Sequence, residues 1–175
     1  MSIEDLIAAL GSGGHELYPV ASREDIEKTQ AAIGRPLPAS YRTFVRTFSN
    51  GAYLYTLQEV SAVGSGNRQI AAIQNITWAA GDPDEVIPIR DGAQTRLRNL
   101  VPFGLDHNAN AWCFLTDIEP ESGEYRVAYF DTTGRRLYCP LPSFTEWLKV
   151  LVENQDEVIR VICDPQVLED ELNLG

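Results

Sequence analysis

The chain has 175 residues, 44% of them hydrophobic, which is enough for one globular domain with a sizeable core. Its 25 acidic and 14 basic residues give a net charge of −11, which argues against a nucleic-acid backbone or an anionic membrane as the main partner. No apolar run approaches the roughly 20 residues of a membrane span, and Glu4 and Asp5 stand where a signal peptide would be basic.

Ile3–Leu10 predicts a short amphipathic helix, ended by the Gly11–Gly14 stretch. Ser22 is a good N-cap for a second helix, with Glu24, Asp25 and Glu27 in the first turn, where the helix dipole favours negative charge. Ile26, Ala32 and Ile33 are its apolar positions and Gly34 its stop. Pro36 and Pro38 bracket Leu37, and Pro38 suits the first position of a third helix, where its missing N–H is harmless. Tyr41, Phe44, Val45 and Phe48 follow at i, i+3, i+4 and i+7, a buried stripe, and Asn50-Gly51 ends it with two residues that tolerate the left-handed conformation.

Ala52–Leu57 and Glu59–Val63 are rich in aromatic and β-branched residues and read as strands. Gly64–Asn67 is a turn, and Ile70, Ile73, Ile76 and Thr77 give Gln69–Ala80 helical spacing. The loosest stretch, Gly81–Arg98, has turn chemistry at 82–85 and at Asp91-Gly92 around a short strand, Val86–Ile89. Leu100–Leu105, Ala111–Asp117, Tyr125–Asp131 and Arg135–Cys139 then form an antiparallel run with links of hairpin length. Tyr125, Val127 and Tyr129 alternate with Arg126, Ala128 and Phe130, so that strand is expected to be covered on both faces. Pro142 starts a last long helix with Phe144, Trp147, Leu148 and Leu151 on one stripe, and a shorter helix is read at Asp156–Cys163. Helices at both ends with consecutive hairpins between them predict an α+β fold, a single domain with a mainly antiparallel central sheet and helices packed around it.

Catalytic chemistry finds little footing. Asp106-His107 could pair a base with its orienting carboxylate, but adjacent residues in a hairpin turn rarely converge on one atom, and no nucleophile is specified nearby. The same turn imitates a calcium loop through Asp106, Asn108 and Asn110, yet Ala111 and Asp117 replace the Gly and Glu that such a loop needs. Gly64-Ser65-Gly66-Asn67 lacks the GxxxxGK[ST] spacing of a phosphate loop. Cys113, Cys139 and Cys163 are odd in number and contain no CxxC, so they read as thiols of a reducing compartment, and a cytoplasmic protein is expected. No catalytic residue, cofactor or metal is assigned. Residues 151–175 hold seven acids against one base, Arg160; this is either a solvated surface or a face for a basic partner. Trp78 is read either as core or as an exposed interface anchor beside the acidic loop at 82–85.

Three blocks of sequence resemble the SMI1/KNR4 family, also called the SUKH superfamily. The first carries Ile26, Glu27, Gly34, Leu37, Pro38, Tyr41, Phe44, Asn50 and Gly51. The second is Val101-Pro102-Phe103-Gly104 followed by Asp106, Asn110 and Trp112–Leu115, and the third is Ser143-Phe144 with Trp147-Leu148. Lys28, Thr29, Ala52 and His107–Ala109 depart from the family's usual residues at their places. The resemblance implies an organisation of an N-terminal helix and loop (1–21), the SMI1/KNR4-like domain (22–155) and an acidic C-terminal helix or tail (156–175). It also implies a non-enzymatic binding protein, since bacterial members are commonly immunity proteins that neutralise a cognate toxin by direct binding. Fungal relatives imply the alternative, a scaffold related to cell-wall synthesis regulators. The expected partner is a toxin domain with a basic surface, neither nucleic acid nor membrane. Composition nominates Trp78, Asp82, Asp84, Glu85, Asp91, Glu119, Glu121 and Glu124 as partner-binding residues.

Overall fold

The structure is a computed structural model that describes residues 1–11, 13–66, 69–70, 72, 81–106, 109–117 and 123–155. Helices α1 (Ile3–Leu10) and α2 (Arg23–Ile33) each begin with a capping box: Ser2 with Asp5, and Ser22 with Asp25. Gly34 ends α2 in the left-handed conformation, φ 74°. The buried positions of α2 are Ile26 and Thr29, whereas Ala32, expected inside, faces solvent. Thr29 can be inside because its hydroxyl accepts the Gly64 N–H at 2.8 Å.

Helix α3 (Ala39–Thr47) starts one residue later than expected, with Pro38 as its N-cap and no capping side chain of its own. The cap comes from Glu124, whose carboxylate accepts both the Ser40 N–H and the Ser40 hydroxyl at 2.7 Å. Tyr41, Phe44 and Val45 are fully buried, and Phe48 packs against them. After the helix only Gly51 of the Asn-Gly pair is left-handed, at φ 80°. Asn50 acts differently: its side-chain amide accepts the Val63 N–H at 2.9 Å and donates to the Val63 carbonyl at 3.1 Å.

Strands β1 (Glu16–Leu17), β2 (Ala52–Leu54) and β3 (Gln58–Val60) form a three-stranded antiparallel sheet in that order. β1 was not anticipated, because two residues carry no periodicity. β2 stops at Leu54 rather than Leu57 since Tyr55 and Thr56 turn back with positive φ. That turn is tied to the end of α1 by His15: Nδ1 accepts the Tyr55 N–H at 2.9 Å, which assigns the proton to Nε2, 3.1 Å from the Leu10 carbonyl.

A two-stranded hairpin, β4 (Val86–Pro88) and β5 (Gln94–Arg96), leads through a 3-10 turn, Leu97–Asn99, into a four-stranded meander. Its strands are β6 (Leu100–Leu105), β7 (Ala111–Leu115), β8 (Arg126–Asp131) and β9 (Arg136–Leu141), consecutive neighbours and all antiparallel. β9 runs past its expected end at Cys139: Cys139 takes φ 52° at an irregularity in the register, and an edge strand tolerates Pro140. The expected helix at Gln69–Ala80 falls largely outside the described residues, and that at Asp156–Cys163 wholly so.

The meander is covered on both faces. One face, with Val101, Phe103, Trp112, Phe114, Val127 and Tyr129, packs in one core with residues of α1, α3 and helix α4 (Phe144–Glu153), and with Ala52, Leu54 and Val60 of the three-stranded sheet. On the other, Cys113, Leu115, Ala128 and Phe130 pack with Ile87 and Ile89 of the hairpin. A bulge between Pro102 and Gly104 aims Phe103 into the first core, where it stacks on Phe114 at 4.4 Å and meets Phe144 and Trp147 edge-on. Gly104 lets β3 approach β6, because a Cβ there would press into the Glu59 carbonyl. The chain is a single-domain α+β fold, and among the described residues no helix is long and apolar enough to cross a membrane.

Candidate functional site

Five of the acids nominated from composition are drawn into the molecule's own bonding. Glu85 binds the Arg135 guanidinium through both oxygens, and this hydrogen-bonded pairing holds its carboxyl below the usual range. Asp91 accepts the Ala93 N–H and then Arg126, at 3.0 and 2.5 Å, and is lowered for those reasons in that order. Asp84 pairs with Arg98 and lies 3.8 Å from Arg96. Asp82 accepts the Asp84 N–H at 2.9 Å within its own turn, and Glu124 caps α3. A partner's cation at Asp84, Glu85 or Asp91 has an arginine of this chain to displace. Trp78, Glu119 and Glu121 lie outside the described residues.

The Asp106 turn is a braced hairpin. Asp106 accepts the Asn110 N–H at 3.1 Å and the Tyr129 hydroxyl, while Asn110 Oδ1 accepts the Thr132 N–H and hydroxyl at 3.0 Å each. His107 and Asn108 lie outside the described residues. Cys113 is fully buried, and burial pushes its thiol pKa well up, away from the thiolate a nucleophile needs. Gly64 is pinned against α2, with Asp25 where a Cβ would be. Among the described residues no group of three His, Cys, Asp or Glu side chains could hold a metal ion.

The feature that composition did not reveal is the outer face of the three-stranded sheet. Register places Glu16 opposite Tyr53, and Tyr53 opposite Glu59, so a carboxylate, a phenol and a carboxylate form one row across three strands. Strand spacing puts the two flanking Cα atoms roughly 10 Å apart. Tyr18 stands two residues after Glu16 and donates its hydroxyl to that carboxylate at 2.5 Å. Glu59 accepts the Ser61 hydroxyl at 3.2 Å and lies 3.5 Å from the Tyr53 hydroxyl. The row floors a groove of about 690 Å3 whose walls include the exposed Val20 and the half-buried Gln69. The signal in the sequence was the alternation around Tyr53 and Glu59, but Glu16 joins them only through a pairing 37 residues distant in sequence, which no local pattern announces.

A second groove, of about 610 Å3, lies between α2 and α3 and is lined by Arg42, Arg46 and the Arg23–Glu27 ion pair.

A search of the curated proteins finds no match to this chain. Comparison with protein families matches residues 20–150 to the SMI1 / KNR4 family (SUKH-1), a span that takes in α2, α3, strands β2 to β9 and most of α4. The residues that carried the sequence resemblance hold this architecture: Tyr41 and Phe44 in the core, Asn50 and Gly51 at the junction with β2, Phe103 and Gly104 at the bulge. The chain belongs to the SMI1/KNR4 family, SUKH-1.

Proposed function

We propose that this chain is a non-catalytic immunity protein that neutralises a cognate toxin domain by stoichiometric binding in the cytoplasm. The observation that carries the reading is the family match over residues 20–150, because bacterial members of this family commonly hold that role. The net charge of −11 supports a partner with a basic surface, such as a nuclease domain whose substrate is itself a polyanion. An acidic inhibitor then gains association rate and occupies the surface that the substrate would use.

The test is capture and protection together. The tagged chain is expected to co-purify with the product of the gene immediately upstream, and its co-expression is expected to rescue cells producing that protein. Absence of both overturns the immunity reading and turns the search to host-cell partners, as a scaffold would require.

A further inference from the structure

With 25 acids against 14 bases, a basic side chain of this protein has carboxylates in excess to choose from. On α2 both bases take one: Arg23 pairs with Glu27 and Lys28 with Glu24, each at 3.0 Å. Around the β4–β5 hairpin Arg98, Arg126 and Arg135 do the same with Asp84, Asp91 and Glu85. Arg42 and Arg46 of α3 do not. Both are exposed, and neither has an ion-pair partner among the described residues. No acid stands three or four residues from either, and at i, i+4 their like charges work against the helix that carries them. We propose that the groove between α2 and α3 is a docking surface for an acidic segment of a partner protein, whose carboxylates Arg42 and Arg46 receive. This surface is separate from the basic-partner reading above and does not depend on it.

The groove supplies donors. A guanidinium has five N–H groups and no acceptor, and its fork matches the two oxygens of a carboxylate. On the opposite wall Gln30 spends its side-chain oxygen on the Leu37 N–H at 2.8 Å, which leaves its amide N–H groups to donate. Ala39, Thr43 and Thr47, one turn apart on α3, are small enough to leave space beside the arginines, about 610 Å3 in all. The two arginines stand about 6 Å apart at Cβ. That spacing fits two acids one helical turn apart, or alternate residues of an extended segment at roughly 7 Å.

A short acidic segment suits the surroundings better than a long polyanion. The basic patch is two residues long, and α2 beside it presents Glu24 and Glu27, which repel a phosphate track continued past the arginines. The net charge of −11 opposes an anion at a distance, but at about 0.1 M salt the Debye length is about 10 Å, so remote acids are screened while contact with the arginines survives. The patch is also held in place. Tyr41, Phe44 and Val45 anchor the other side of α3 in the core and Glu124 caps its start, so little order has to be created on binding.

The experiment titrates a synthetic hexa-glutamate peptide into the full chain at 0.1 M salt while the arginine Nε–H resonances are followed by NMR. Saturable shifts at Arg42 and Arg46 are expected. A rise in Kd of about tenfold or more is expected in R42Q/R46Q, a smaller one in R42K/R46K, and none in R136Q, which removes an exposed arginine elsewhere. Thermal unfolding checks the fold of each variant, and R42Q/R46Q should be no less stable than wild type because it removes a like-charge pair. No shift at either arginine, undiminished binding by R42Q/R46Q, or an equal loss in R136Q overturns the proposal. So does equal binding of a single-stranded oligothymidylate, which would make the patch a phosphate contact. Movement of the Arg42 and Arg46 resonances in E169Q/D170N/E171Q without peptide would mean that the chain's own acidic end fills the groove, and it overturns a partner in trans.

Discussion

Asn50 and Gly104 show how single residues fix the junctions on which the sheet face depends. The Asn50 amide uses its acceptor for the Val63 N–H and its donor for the Val63 carbonyl. Asn50→Asp keeps the first bond and sets a charge against the carbonyl, so a loss of about 1–3 kcal/mol is expected in urea denaturation. Asn50→Ser, which reaches neither group well, should cost a comparable amount. At Gly104 the limit is space: a methyl group there meets the Glu59 carbonyl and the Gln58 side chain. Gly104→Ala is expected to cost about 1–3 kcal/mol and to shift the backbone resonances of Glu59. An unchanged Glu59 would show that β3 does not sit against β6 as described. Both residues belong to the signature that was legible in the sequence, yet their reasons were not. Asn-Gly looked like a pair of left-handed residues, and the side-chain bonds that make Asn50 necessary reach across 13 residues.

Elements in this fold are completed by partners distant in the chain. α3 has no cap of its own, and Glu124, 84 residues away from Ser40, supplies one. Glu124→Ala is therefore expected to destabilise the protein by about 1 kcal/mol, with Glu124→Gln intermediate, as read from urea midpoints at constant slope. The β4–β5 hairpin is held in the same way, by Ile87 and Ile89 from below and by the Glu85–Arg135 and Asp91–Arg126 pairs at its margins. Ile87 is fully buried, and Ile87→Ala should cost about 2–5 kcal/mol. The two carboxylates are depressed in the folded chain, so the unfolded chain takes up protons first as pH falls. Their contribution is complete above the unfolded carboxylate pKa of about 4 and disappears as pH drops through the folded values. Both pairs are partly exposed and salt-screened, which keeps the effect small. E85Q/D91N should flatten the stability profile below about pH 4 while leaving its shape near pH 7 unchanged. Periodicity identified the meander strands because each carries four or more alternating residues. It could not find β1 or β5, which are two and three residues long and exist through their partners.

At the scale of the whole molecule, charge sign was legible and charge placement was not. A net charge of −11 follows from counting, but three of the acids that turns suggested as a binding surface, Asp84, Glu85 and Asp91, are joined to arginines 12 to 50 residues away. Pairing of this kind leaves the long-range field of the molecule intact, because the total charge is unchanged, while it removes local handles from the paired acids. Attraction at a distance and adhesion at contact are therefore expected to separate. On the proposed reading, the field sets how often a basic partner arrives and short-range contacts set how long it stays. Surface-resonance kinetics with the upstream gene product should show the association rate falling by roughly tenfold or more between low and high salt, as the Debye length contracts from about 30 to 3 Å. The dissociation rate should respond far less to salt. E85Q/D91N removes two unit charges, so it should lower the association rate and leave dissociation unchanged. A rise in dissociation for E85Q/D91N would place the contact on the hairpin margin, and a salt-independent association rate would remove electrostatic steering from the mechanism.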